Sequence, residues 1–174
     1  MLITEATEKK LQEAHFFLQK MTEHERMAFE NKEQFDAYLS AFLTAGMSVR
    51  GAFHVRQDRK RNEQVKRWKE DWEARLTPNE ERLYNFMHTD RNHEVHGGGS
   101  SRTVRTENRE LGPGVHKLAG GTHEVSGLPG WSVNIPVPAY YFTIDGVERK
   151  AVEACGEYLA LLRQMVAKFK ADYP

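Results

Sequence analysis

The chain has 174 residues, 39% hydrophobic and 29% charged, enough for one domain with a sizeable core. Lys+Arg and Asp+Glu both number 25, so the formal charge is zero and a globally basic nucleic-acid surface is excluded; any such site must come from local clustering. One cysteine, Cys155, excludes an internal disulfide framework, no apolar run approaches a membrane span, and MLITEATEKK is unlike a secretory leader, so a cytoplasmic address with no membrane partner is expected.

A first helix is predicted from about Glu8 to Phe29, where Leu11, Ala14/His15, Leu18 and Met21 recur at the helical period. Thr7 is its candidate cap, with Glu8 in the first turn; Lys10 stands where a capping box needs Glu or Gln. A second helix, from about Lys32 to Arg56, carries a broad stripe of Phe35, Tyr38/Leu39, Phe42/Leu43, Gly46/Met47 and Val49/Arg50. Gly46 inside it costs about 1 kcal/mol relative to Ala, which a tight helix crossing would explain. Residues 50–69 hold eight Lys or Arg and two acidic groups. Within this polar stretch Val65, Trp68, Trp72 and Leu76 predict a third helix over about 62–76. Thr77–Pro78 breaks it, and a fourth helix starts near Pro78 or Asn79, with Leu83, Phe86/Met87 and Asp90 or Arg91 inward.

Residues 97–134 change character: GGGSSRTVRTE, LGPG and AGGTHEVSGLPG resist long helices. Val104 and Val115–Leu118 are candidates for short strands, AYYFTI at 139–144 reads as a strand, and Asp145–Gly146 reads as a turn. Tyr140 and Tyr141 alternate, so one packs and the other is exposed. A last helix from about Val152 to Phe169 lines Val152, Cys155, Leu159, Leu162 and Val166 on one face, which buries the thiol. The expected fold is mainly α, a four- or five-helix bundle spanning 1–174 as one domain, with a small β or irregular insertion at about 97–148 before the last helix. GGGS at 97–100 lacks the Lys and Ser/Thr of a phosphate loop, and no doubly wound α/β pattern is present.

The stretch RNHEVHGGG at 91–99 concentrates chemistry at a helix end. Arg91 is a permanent cation whose planar fork suits phosphate oxygens. His96 can move a proton near neutral pH, and Asn92 can orient either group or a ribose. Those three suffice for RNA cleavage by its own 2′-hydroxyl, which needs proton removal, protonation of the 5′ leaving oxygen and charge stabilisation at phosphorus. Five helical steps put Arg91 and His96 about 140° apart on an ideal helix. A helix that ends near Glu94, the reach of the arginine, or a second subunit would bring them together. The competing reading is a solvated arginine and a histidine at an ordinary helix end. His88 reads as a helix surface or interface residue, and His93 as a possible assistant. His88, Asp90, His93, Glu94, His116 and His123 offer metal ligands, but no spacing enforces four convergent ones, so neither metal nor cofactor is expected.

RNHEVH resembles the Arg-polar-x-x-x-His motif of the HEPN superfamily of small helical-bundle proteins. The similarity extends to YLSAFLTAGMSVR at 38–50, to the Trp-containing FHVRQDRKRNEQVKRWKEDWEAR, and to the closing FTIDGVERKAVEACGEYLALLRQMV; residues 100–135 look like a variable insertion. The resemblance implies a HEPN-like bundle acting as a metal-independent endoribonuclease and homodimer. Arg91 would contact the scissile phosphate, His96 would be the acid/base group, and Asn92 would fill the polar position. Many such proteins are toxins or defence effectors, often with a nucleotidyltransferase antitoxin partner. Others have lost catalysis, which keeps open a non-catalytic module binding RNA, a nucleotide or a partner protein. Arg56, Arg59, Lys60, Arg61, Lys66 and Arg67 are candidate contacts to an RNA backbone, or else a solvated helix connection. Trp68 and Trp72 could stack bases, but their four-residue spacing favours packing.

Overall fold

A computed structural model describes residues 2–25, 32–53, 59–97, 101–118, 121–125 and 130–173. The helices are α1 (Leu2–Glu25), α2 (Lys32–Gly51), α3 (Arg59–Glu73), α4 (Pro78–Gly97) and α5 (Ala151–Asp172). Between α4 and α5 lie β1 (Thr103–Leu111), β2 (Gly114–Leu118), β3 (Gly121–Val125), β4 (Val133–Ile144) and β5 (Val147–Lys150). The fold is thus mainly α, a five-helix bundle with a small β insertion before the last helix. The strands form a three-stranded antiparallel sheet in the order β1-β4-β5 and a separate β2-β3 hairpin. Among the described residues no helix is long and apolar enough to cross a membrane.

The apolar faces meet as the helical period requires. Leu11, Ala14 and Met21 of α1 join Phe35, Leu39, Phe42, Leu43 and Val49 of α2, with Leu83 and Met87 of α4 and Leu159, Leu162 and Met165 of α5. Tyr140 and Phe142 of β4 close one end, Tyr140 stacking on Phe35 with ring centroids 3.6 Å apart. Tyr140 is buried and Tyr141 half-buried, so the alternation holds on its buried side. Gly46 lies at a tight crossing of α2 on α5: a Cβ there would stand 2.9 Å from the Tyr158 ring. Cys155 is fully buried, and burial pushes its thiol pKa up.

Several boundaries differ from expectation. The first helix begins at Leu2, so Thr7 lies inside it and is not its cap. Thr7 is buried because it stands four residues before Leu11, on the packed face. The predicted end of the first helix, 26–29, lies outside the described residues, whereas the second helix stops at Gly51 and gives way to a turn at 52–53 instead of running to Arg56; 54–56 lie outside the described residues. The third helix occupies 59–73 rather than 62–76. Its last turn tightens, Leu76 N–H reaching Glu73 O at 3.2 Å before the Thr77–Pro78 stop. The fourth helix does start at Pro78, and Thr77 and Glu80 cap it reciprocally: Thr77 N–H donates to Glu80 Oε2 at 2.8 Å, and Glu80 N–H donates to Thr77 Oγ1 at 3.4 Å.

The insertion is more regular than its composition suggests. Strand β1 has nine residues, of which only Leu111 is buried, so it lacks the alternation that signals a strand. Strand β4 has twelve residues and includes Pro136 and Pro138. Strand β5 pairs with Tyr141–Ile144 only, and the two prolines sit where β4 has a single described neighbour, β1. Asp145 (φ 50°) and Gly146 (φ 78°) form the two-residue β4–β5 turn, both in the left-handed region that such a hairpin requires.

Candidate functional site

Arg91 and Asn92 lie on α4 just after His88, where α4 meets the C-terminal end of α2 and the charge of Lys69 from α3 reaches the His88 ring. The apolar stripe of α2 brings Met47 and Arg50 to this corner, and the core position of Val65 on α3 brings Lys69, four residues later, to the same side. Arg50 lies over the Tyr84 ring at 4.0 Å and donates from a terminal nitrogen to Tyr84 O at 3.3 Å. Glu73 balances part of the charge, 3.7 Å from Arg50 and 3.5 Å from Lys69.

Along α4 the polar groups are linked. Arg91 donates to Asn92 Oδ1 at 3.4 Å, and Asn92 Nδ2 lies 3.3 Å from His88 Nε2. The other His88 nitrogen, Nδ1, faces Met47 Sδ at 3.4 Å, so His88 is an inter-helix residue, not a free surface one. Arg91 Nε is buried without a hydrogen-bond partner among the described residues. Burial, then the charges of Arg50, Lys69 and Arg91, hold the His88 pKa below the ordinary histidine value. Neighbouring Asp90 faces the other way, is buried, and accepts from Ser101 N–H at 2.8 Å and Ser101 Oγ at 2.7 Å. Arg102 then pairs with Asp36 of α2. These contacts tie the start of the insertion to the bundle directly behind the corner.

The helix does not end near Glu94. It runs through Gly97, so Arg91 and His96 share one continuous helix. An uninterrupted helix keeps its hydrogen-bond ladder, and their Cα positions stay about 140° apart around the axis. The reach of the arginine and a second subunit remain as ways to join them. The side chains of residues 93–97, His96 among them, lie outside the described residues.

Of the proposed RNA contacts, Arg56 and the side chains of Arg59, Lys60 and Arg61 also lie outside the described residues. Lys66 and Arg67 are exposed on α3, and Lys66 pairs with Glu70 of its own helix at 3.7 Å. The basic groups gathered around His88 are instead Arg50 and Lys69, which belonged to the counted basic stretch but not to the proposed contacts. Their signal was placement: each is a cation at an apolar-stripe position, where a solvated charge is not expected. Trp68 stacks on Phe53 with centroids 5.6 Å apart and donates to Asp172 at 2.8 Å, and Trp72 meets the edge of Tyr84. Both rings are engaged in packing. Among the described residues no three His, Cys, Asp or Glu side chains converge on a possible metal position.

Set beside protein-family models, curated proteins and solved structures, the chain matches none of the three.

Proposed function

We propose that the chain is a metal-independent endoribonuclease whose active site is built on α4 from Arg91, Asn92 and His96. The observation that carries this reading is the surroundings of His88 on α4, where Arg91, linked to Asn92, gathers with Arg50 from α2 and Lys69 from α3, the latter two sharing one carboxylate, Glu73. Such a corner offers a phosphodiester more positive than negative charge and the donor fork of an arginine. The RNHEVH resemblance supplies the acid/base partner, His96. In the reaction the 2′-hydroxyl loses its proton and its oxygen bonds to phosphorus. The P–O5′ bond breaks, the 5′ oxygen takes up a proton, and a 2′,3′-cyclic phosphate remains.

The angular separation of Arg91 and His96 on one helix favours an arrangement in which two copies face each other, the arginine of one serving the histidine of the other. A homodimer with two composite sites is therefore part of the proposal.

The test incubates purified protein with defined single-stranded and hairpin RNAs in EDTA, beside Arg91→Ala and His96→Ala. Cyclic-phosphate ends made by the wild type and lost in both variants, with helical content unchanged, support the reading. Cleavage by either variant at the wild-type rate defeats it. Binding of the same RNAs with no turnover points to a non-catalytic module.

A further inference from the structure

His88 lies one helical turn before Asn92, and from sequence it has only a place on the helix surface or at an interface and a weak claim as a metal ligand. Its surroundings determine which proton it carries. An arginine nitrogen can only donate, so Asn92 must turn Oδ1 toward Arg91, 3.4 Å away. The Asn92 amide nitrogen then faces His88 Nε2 at 3.3 Å, and that nitrogen also can only donate. His88 Nε2 must therefore accept, which leaves the ring proton on Nδ1, against the weak acceptor Met47 Sδ at 3.4 Å. The opposite tautomer would rotate the amide and set its NH2 group against the guanidinium. An imidazolium would oppose two donors across the Asn92 contact.

The charges around the ring agree with this tautomer. From α2 comes Arg50, from α3 Lys69, and from α4 Arg91, all opposing a further positive charge, and burial opposes it more strongly. Glu73 of α3 is engaged by Arg50 and Lys69, and Asp90 of α4 is turned to Ser101. On α5, Cys155 and Tyr158 are buried with their pKa values raised, so both are neutral.

We propose that His88, as the neutral Nδ1–H tautomer, is a positioning residue: it fixes the Asn92 amide and, through Asn92 Oδ1, sets the Arg91 guanidinium for a phosphate. The phosphate rests on the ribonuclease reading; the orientation of the amide does not. Protonation of His88 in mild acid releases Asn92 and leaves Arg91 without its guide.

Two arms test this. Long-range nitrogen–proton NMR on labelled protein, with the His88 signals identified by their loss in His88→Gln, reads tautomer and titration directly. Nδ1–H at neutral pH, a midpoint below that of an ordinary histidine, and an Asn92 side-chain amide that shifts with the same midpoint are expected. An Nε2–H tautomer, or an Asn92 amide indifferent to His88, overturns the proposal. The second arm measures RNA cleavage in EDTA. His88→Ala should lower kcat by about tenfold with KM little changed, because a misplaced guanidinium costs orientation more than attraction. His88→Gln, whose amide oxygen can accept from Asn92, should recover most of that loss. Equal losses in Ala and Gln at unchanged melting temperature would also overturn it. If the wild type cleaves no RNA, the ribonuclease reading falls, and the NMR arm alone decides the role of His88.

Discussion

Glu25, at the C-terminal end of α1, provides a test of the electrostatics of the fold. Its Oε1 is buried without a hydrogen-bond partner among the described residues. Burial raises its pKa from 4.5 to about 7; Lys150 and Arg109 pull it down, and Glu153 and Glu107 push it up. The folded state thus holds this proton more tightly than the unfolded chain. The associated stability is full below pH 4.5, is lost as pH rises, and is gone above about 7. A shift of that size is an upper bound of about 3 kcal/mol, and partial exposure of the side chain reduces it to about 2 kcal/mol. The variant Glu25→Gln cannot ionise. Its stability relative to wild type should rise by about 2 kcal/mol between pH 5 and pH 8, a difference of about 1 M in urea midpoint. Urea denaturation followed by circular dichroism at pH 5, 6, 7 and 8 measures it. Parallel pH profiles for the two proteins would refute the assignment of a desolvated carboxyl at Glu25.

Three further perturbations probe the scaffold. Gly46→Ala adds a methyl 2.9 Å from the buried Tyr158 ring. Overpacking of about 1–3 kcal/mol should outweigh the gain of about 1 kcal/mol in helix propensity, so the melting temperature drops; a rise would mean that α2 and α5 separate easily. Thr77→Ala removes the hydroxyl half of the α4 capping box and should cost about 1 kcal/mol in denaturant titration, with activity retained. Asp90→Ala strips the acceptor from Ser101 N–H and Oγ. It should cost about 1–3 kcal/mol and speed hydrogen exchange at Ser101, and an unchanged exchange rate would show that the tie between α4 and the insertion is idle.

Much of this protein was legible in the order of its residues. The stripes at 35–50, 65–72, 83–87 and 152–166 each name a helix and its buried face, because burying an apolar face at a period of 3.6 leaves little choice of conformation. Asp145–Gly146 named its own turn, since few other residue pairs accept two left-handed conformations in succession. RNHEVH drew attention to α4, where Arg91 donates to Asn92. Two other features were not read from the sequence. Strand β1 carries no alternation because almost nothing of it is buried; its strand character comes from pairing with β4, whose partner residues lie 22 positions away at Leu111–Val133 and 38 at Thr103–Tyr141. The Thr77–Glu80 capping box was present in the sequence and passed over, because Pro78 already accounted for the helix start.

The composition of the α4 corner belonged to tertiary structure alone. Nothing local joins Arg50, Lys69 and His88; packing of α2, α3 and α4 does, once each helix has turned its apolar stripe inward. The sequence by itself determined the helices and their buried faces. Only the packed bundle decided that the cations gather around a neutral histidine, and that an unbroken α4 carries Arg91 and His96 together on different sides. Periodicity is a property of one segment, whereas the pKa of His88 and the company of Arg91 depend on charges brought from other segments when the helices pack.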